Sequence, residues 1–377
     1  MCIDSRSEDH YTIRYSGKQE YFFKLIRERI DLYFEKSKKS QYADFRMIGK
    51  GIFQFTTLVV LYFLMISDYF TGWTLFFIQI LFYFFIFLVA VGIAHDASHN
   101  ACSKKKWINK LLRKVFDLIG INSYLWELNH IKSHHSVPNV PRLDSAIDSF
   151  VLFRLHPRAK YYSFHRFQHL YIFFLYGFST LFKIFFLDIY SYSRNRIGFI
   201  KTEQHTGKEL LWLICTKVFV LTYSLIIPAF LLSVPFWQFF LGFLCGNFLT
   251  GITLGIIFQV THITEKTCWP EPDENGVLNN SFANHVLETT SDFSTNNKLI
   301  TWIAGGLNHH VAHHLFPNIS QIHLPVITKI IESIAVEYGV SYKKHDSVYE
   351  ALKSHLITLK QLGRSEDFTG EVSIIQN

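Results

Sequence analysis

Charge is scarce in this chain. Asp, Glu, Lys and Arg make up only 18% of its 377 residues, against 49% hydrophobic residues, and its 30 acids are outnumbered by 38 phenylalanines. That little charge cannot cover that much apolar surface in water, so a disordered chain is excluded and the bilayer becomes the expected solvent. Cysteine is present but unpatterned: Cys2, Cys102, Cys215, Cys245 and Cys268 form no C-x-x-C pair. This excludes a zinc ribbon, an iron-sulfur cluster and a disulfide framework, and leaves five reduced thiols. The opening segment MCIDSRSEDHYTIRY lacks the apolar core of a signal peptide, so entry into the membrane through the first span is expected. There is no G-x-G-x-x-G loop and no His-Pro-Gly-Gly haem motif, since His156-Pro157 continues with Arg158. The net charge of +7 fits loops facing an anionic cytoplasmic leaflet, and nothing favours nucleic acid.

What is abundant is apolar sequence in long runs. Two uncharged stretches, 51–67 and 73–94, are each close to the roughly 20 residues that cross a hydrocarbon core, and the short DYFTG turn joins them. A second pair, 210–232 and 236–260, is broken only by Lys217 and Pro228. Four spans in two hairpins are therefore expected. Two further stretches are ambiguous: Leu111 to Trp126 carries Arg113, Lys114 and Asp117, and Leu170 to Leu187 carries Lys183. If the second crossed once, it would divide the histidine clusters described next between the two sides of the membrane, so both read as interfacial or re-entrant helices. Lys and Arg crowd the N-terminal arm, the KKKWINKLLRK segment and the 183–208 region, whereas both hairpin turns carry none, which orients both termini to the cytoplasm. Residues 1–50 read as a cytoplasmic arm with an amphipathic helix, whose stripe is Phe22, Leu25, Ile26, Ile30, Tyr33 and Phe34. Residues 51–321 read as the membrane domain and 322–377 as C-terminal cytoplasmic helices with a tail.

The chain also holds 19 histidines. His95 and His99 stand at i and i+4 where the second span ends. His130, His134 and His135 follow in WELNHIKSHHSVPN, and His310, His313 and His314 lie in GGLNHHVAHHLFPNIS beside His309. One such pair on a helix is usually a surface pair, but three clusters at helical spacing on one side of the membrane are not. Eight imidazoles exceed the four that close a zinc site and suit two transition metals with partly open shells. His262, at the end of the fourth span, is a ninth candidate. Ligating imidazoles usually donate their other N–H to a carboxylate or carbonyl, which makes Asp96, Asp144, Asp148, Glu265, Glu288 and Asp292 candidates for that role. His165, His169 and His285 read as structural or interfacial.

HDASH, HIKSHH and HVAHH, in this order and between two hairpins, resemble the three histidine boxes of the membrane fatty acid desaturases. FHRFQHLYIFFLYG, FQVTH and LITWIAGGLNHHVAHHLFPNI are similar to the bacterial acyl-CoA or acyl-lipid branch related to front-end desaturases. That branch commonly has Gln in place of His310, an acid in place of Ala312, Thr-Asn in place of Pro138-Asn139, and a paired-acid motif of which only Asp144 remains beside Ala146. The resemblance implies an all-helical membrane fold with a cytoplasmic cap over a histidine-rich di-metal site. It implies two irons, O2 as co-substrate, and an acyl-CoA or lipid-linked substrate. Electrons would come from a separate ferredoxin or b-type cytochrome, and the setting would be a bacterial inner membrane, or an endoplasmic reticulum membrane in a eukaryote. The same scaffold can support a hydroxylase or ketolase. A zinc hydrolase or a metal transporter is the reading from a different class, and it would call for polar ligands inside the spans.

Overall fold

The computed structural model describes residues 13–16, 20–148, 151–202 and 205–364; Cys2, most of the opening segment and the tail after Arg364 lie outside them. Helices build nearly everything, and strands are confined to three two-residue pairings among the described residues: Arg14–Tyr15 with Val277–Leu278, Arg196–Ile197 with Ile200–Lys201, and Asp292–Phe293 with Lys344–His345.

The N-terminal helix α1, Glu20–Ser37, buries its stripe of Phe22, Ile26 and Ile30 against Ile327, Ile331 and Ile334. Among the described residues, five helices are long and apolar enough to cross a membrane: α2 at Phe45–Ile66, α3 at Gly72–Ser98, α4 at Ser163–Ser193, α5 at Gly207–Leu231 and α6 at Phe236–His262. Asp44 starts α2 by accepting from the backbone N–H groups of Arg46 and Met47. The additional long helix, α4, contains the ambiguous stretch with Lys183. It continues through that lysine because Asp188 meets the charge at 2.7 Å and also meets Lys217 at 2.6 Å. The other ambiguous stretch is broken into Lys106–Arg113, Val115–Leu118 and Ser123–Trp126, with Gly120 at φ +92 turning the chain between the last two.

Contacts at the helix ends order these elements. Ser233, between α5 and α6, donates its N–H and hydroxyl to Asp68, between α2 and α3, so the two turns meet. Both ends of α4 lie by the elements that carry histidines. At its start, Gln168 donates to the carbonyl of Leu359; beyond its end, Gly198 lies against Ser133 and Leu143, beside the second histidine segment. Between these ends α4 packs on α6, where a Cβ on Gly251 would meet the carbonyl oxygens of Tyr176 and Gly177 at 2.4 and 2.6 Å, so only glycine permits the approach. Shorter helices on the histidine side include α7 at His310–Leu315, α8 at Leu324–Glu337 and α9 at Val348–Leu362.

Candidate metal centre

Two backbone distortions aim the first two histidine segments. In α3 the regular helix widens over Ala90–Ala94, with Gly92 at φ −81, ψ −109, before His95–Ser98 resumes. Gly92 suits this bend, because a Cβ there would meet Gln54 Oε1 at 2.8 Å. The second segment, Glu127–His134, is wound more widely than an α-helix, and the N–H of His135 closes on the carbonyl of His130, five residues back, at 3.0 Å. This winding brings His135 back beside His130. At about 100° per residue an α-helix would turn His135 about 140° away from His130, whereas an i to i+5 ring returns it to the same side.

All nine candidate histidines are buried and converge. The ligand atoms of His95, His99, His130 and His313 lie within 4.8 Å of one another, and so do those of His134, His262, His310 and His314. His135 abuts the first group, with its Nε2 3.3 Å from His130 Nε2 and 3.1 Å from His313 Nε2, while its ring stacks on His314 at 4.2 Å. Other pairs of facing Nε2 atoms are His95 with His130 at 3.1 Å, His262 with His310 at 2.8 Å and His314 with His310 at 3.2 Å. Nitrogens bound to one ion at about 2.0–2.1 Å stand about 3 Å apart, so these spacings match shared coordination.

The outward nitrogens support the same geometry. His134 donates Nδ1–H to Asp144 at 3.0 Å, His262 to the carbonyl of Thr289 at 3.3 Å, and His310 to the carbonyl of Leu307 at 3.1 Å. A proton held at Nδ1 leaves the Nε2 lone pair free and directed inward. The donor set is imidazole alone, which suits iron or zinc and differs from a thiolate site.

Of the candidate carboxylates, Asp144 is the one that touches a ring of the nine clustered histidines. Burial raises its pKa, but the adjacent His134 and hydrogen bonds from His134 and the Ala146 N–H outweigh burial and hold it below the ordinary carboxylate range. Asp96 and Asp292 act on the backbone instead. Asp96 accepts from Ser320 Oγ, Gln321 N and Gln321 Nε2, binding the first histidine segment to the chain after the third. Asp292 accepts from the N–H of Val311 and the hydroxyl of Tyr342, securing the start of α7; burial raises its pKa to about 7. The remaining three meet other partners: Asp148 faces His156 at 3.8 Å, Glu288 accepts from Asn280, and Glu265 is exposed, with its N–H on Ser354.

His309 also stands apart from the cluster, with its ring nitrogens on Thr328 and Thr301. His285 reaches the carbonyl of Pro138, and His165 that of Val151. Spacing arguments missed Asn139. At φ +59 it turns the chain after the second histidine segment, and its amide donates to the carbonyls of His262 and Thr289, fixing the His262 region from behind. The wall includes Trp126, whose ring lies 4.5 Å from that of His130 and whose N–H donates to Ser98.

Burial holds His99, His130, His135, His313 and His314 well below the usual histidine range, with neighbouring imidazoles adding to the effect, and lowers His310 to about 3. A lowered pKa keeps these rings neutral at pH 6, where exposed histidines with a pKa of about 6.5 would be mostly protonated. Metal uptake by metal-free protein should therefore change by less than about threefold between pH 7.5 and pH 6. Elemental analysis after dialysis at each pH checks this, and a steep loss at pH 6 would contradict the neutral-ring assignment.

A profile of the family described as fatty acid desaturase matches residues 71–345. The chain is 28% identical to the acyl-lipid (8-3)-desaturase of Physcomitrium patens, over 97% of this chain and 77% of that protein. It is 34% identical to the sn-1 linoleoyl-lipid 6-desaturase of Synechocystis sp., over 73% of this chain and 76% of that one. It is 31% identical to the acyl-lipid (8-3)-desaturase of Mortierella alpina, over 91% and 78%.

Proposed function

Because this chain belongs to the fatty acid desaturase family, we propose that its nine converging histidines hold two iron ions and that a separate redox protein supplies their electrons. The protein is a multi-pass membrane oxidoreductase that introduces a double bond into a fatty acyl chain. Overall, one O2, two electrons and two protons are consumed as adjacent CH2 groups become CH=CH, and two waters leave. Abstracting hydrogen from an unactivated methylene lies beyond any side-chain acid or base, and bound iron would supply the oxidising power.

The chain's own residues position and shield. His95, His99, His130, His135 and His313 would hold one ion, and His134, His262, His310 and His314 the other. Asp144, Thr289 and Leu307 hold protons at Nδ1, and the buried walls exclude water. The observation that carries this reading is the set of inward Nε2 atoms paired with outward Nδ1 donors.

Four crossings account best for the contacts, with α4 entering and leaving on the histidine side and both termini in the cytoplasm. The meeting of Asp68 and Ser233 and the two ends of α4 support this arrangement. Reporters inserted beside Asp68 and beside Ser233 should read as external, and an internal signal at either would overturn the topology. The acyl carrier is a lipid or coenzyme A, with lipid favoured by the names of the relatives. A ferredoxin or b-type cytochrome is the expected donor.

Expression in a host of simple lipid composition tests the function. Mass spectrometry should find products lighter by two hydrogens and locate the new double bond. A gain of one oxygen would indicate hydroxylation instead. Purified protein with NADPH and O2 alone should be inactive until a small redox protein is added.

A further inference from the structure

A second site lies at the junction of α4 and α9. A cavity of about 490 Å3 is lined there by Arg166, His169, Lys360 and Arg364 together with the rings of Tyr161 and Phe167. Among the described residues no acid lines it, and none of Arg166, Lys360 and Arg364 pairs with a carboxylate. Three permanent like charges gathered around one hollow repel one another and are relieved when an anion enters.

The frame is rigid. A Cβ on Gly363 would meet the carbonyl of His165 at 2.2 Å, so the end of α9 lies directly on the start of α4. Gln168 accepts from the N–H of Arg154 and donates to the carbonyl of Leu359, and the guanidinium of Arg154 donates to the carbonyl of Leu362.

The surroundings indicate where the anion comes from. Phe167 and Leu170 at the rim are 47% and 70% exposed, and Phe174 and Phe178 continue an exposed apolar stripe down α4 at helical spacing. Such a stripe belongs against acyl chains, which sets the cavity at the level of the headgroups.

We propose that this cavity binds a phosphate ester, with the apolar stripe favouring the headgroup of an anionic phospholipid over a soluble phosphate. Arginine forks suit the phosphate oxygens, the lysine adds a point charge, and the acyl chains would lie along Leu170, Phe174 and Phe178.

Full-length protein in detergent tests this with three probes in native mass spectrometry: dioleoylphosphatidylglycerol, dioleoylglycerol, which has the same tails without phosphate, and coenzyme A. The phosphatidylglycerol should be retained and the dioleoylglycerol should not. Combined Arg166→Gln, Lys360→Gln and Arg364→Gln substitutions should weaken retention at least about tenfold, with metal content and elution as in the parent. If the combined variant fails to fold, Arg364→Gln alone at the exposed rim should still weaken retention. Displacement of the phospholipid by coenzyme A would assign the soluble source while keeping the phosphate chemistry. Equal retention of dioleoylglycerol, or undiminished phosphatidylglycerol binding in the folded variants, would overturn the proposal.

Discussion

Replacing His262 with alanine should abolish double-bond formation and lower bound metal from about two ions per chain towards one, while the protein still inserts and accumulates. His262 is the last residue of α6, and its Nε2 lies 2.8 Å from His310 Nε2 within the second group of four. A histidine that merely capped the helix would contribute about 0.3–1 kcal/mol through the helix dipole and would face the terminal carbonyls. Here Nδ1 is engaged by Thr289 and Nε2 points at three other imidazoles, which is the geometry of a ligand. If His262 is one of four ligands, its removal leaves an open shell and disturbs the site where hydrogen abstraction must be aligned. His309→Ala is the matched control, because it adjoins the third segment but bonds two threonines. Elemental analysis with product analysis decides the matter. Full metal content and near-parental activity in His262→Ala would show that eight histidines suffice.

Asp144→Asn should lower metal affinity or activity by about 10–100-fold with little change in side-chain volume. Both carboxylate oxygens of Asp144 face Nδ1 of His134, and they also accept from the backbone N–H groups of Asn139 and Ala146. An asparagine amide would turn a donor towards one of these donors, leaving a buried polar group unsatisfied at about 1–3 kcal/mol. It would also remove the negative charge that makes the His134 ring a stronger ligand. Asp148→Asn, in the same loop but half exposed, should stay within about 0.5 kcal/mol of the parent. Metal titration of both variants separates the roles, and equal behaviour would refute a specific one for Asp144.

The histidine boxes were legible because their spacing is a local property. His95 and His99 lie four residues apart, as do His310 and His314, and any helix sets such pairs on one face. Asp144 could be placed among candidates but not singled out from Asp148, because chain distance does not say which carboxylate faces inward. Asn139 carried no spacing signal. Its function depends on a positive φ and on carbonyls that lie 123 and 150 residues further along.

The sequence by itself determined that apolar runs outweigh charge, that helices of membrane length follow, and that histidines recur at helical intervals beside them. Each is fixed by composition or by neighbours within about one or two turns. Only the tertiary structure decided which histidines share a group. It brings His313 to His135 across 178 residues, and a wide turn, which no i, i+4 count anticipates, swings His135 to the side of His130. It also decided that Asp96 and Asp292 bind backbone, that Asp68 meets Ser233, and that both ends of α4 lie beside elements carrying histidines. These pairings arise from long-range packing, whose partners are chosen by the shape and burial of whole helices, so no local window of sequence contains them.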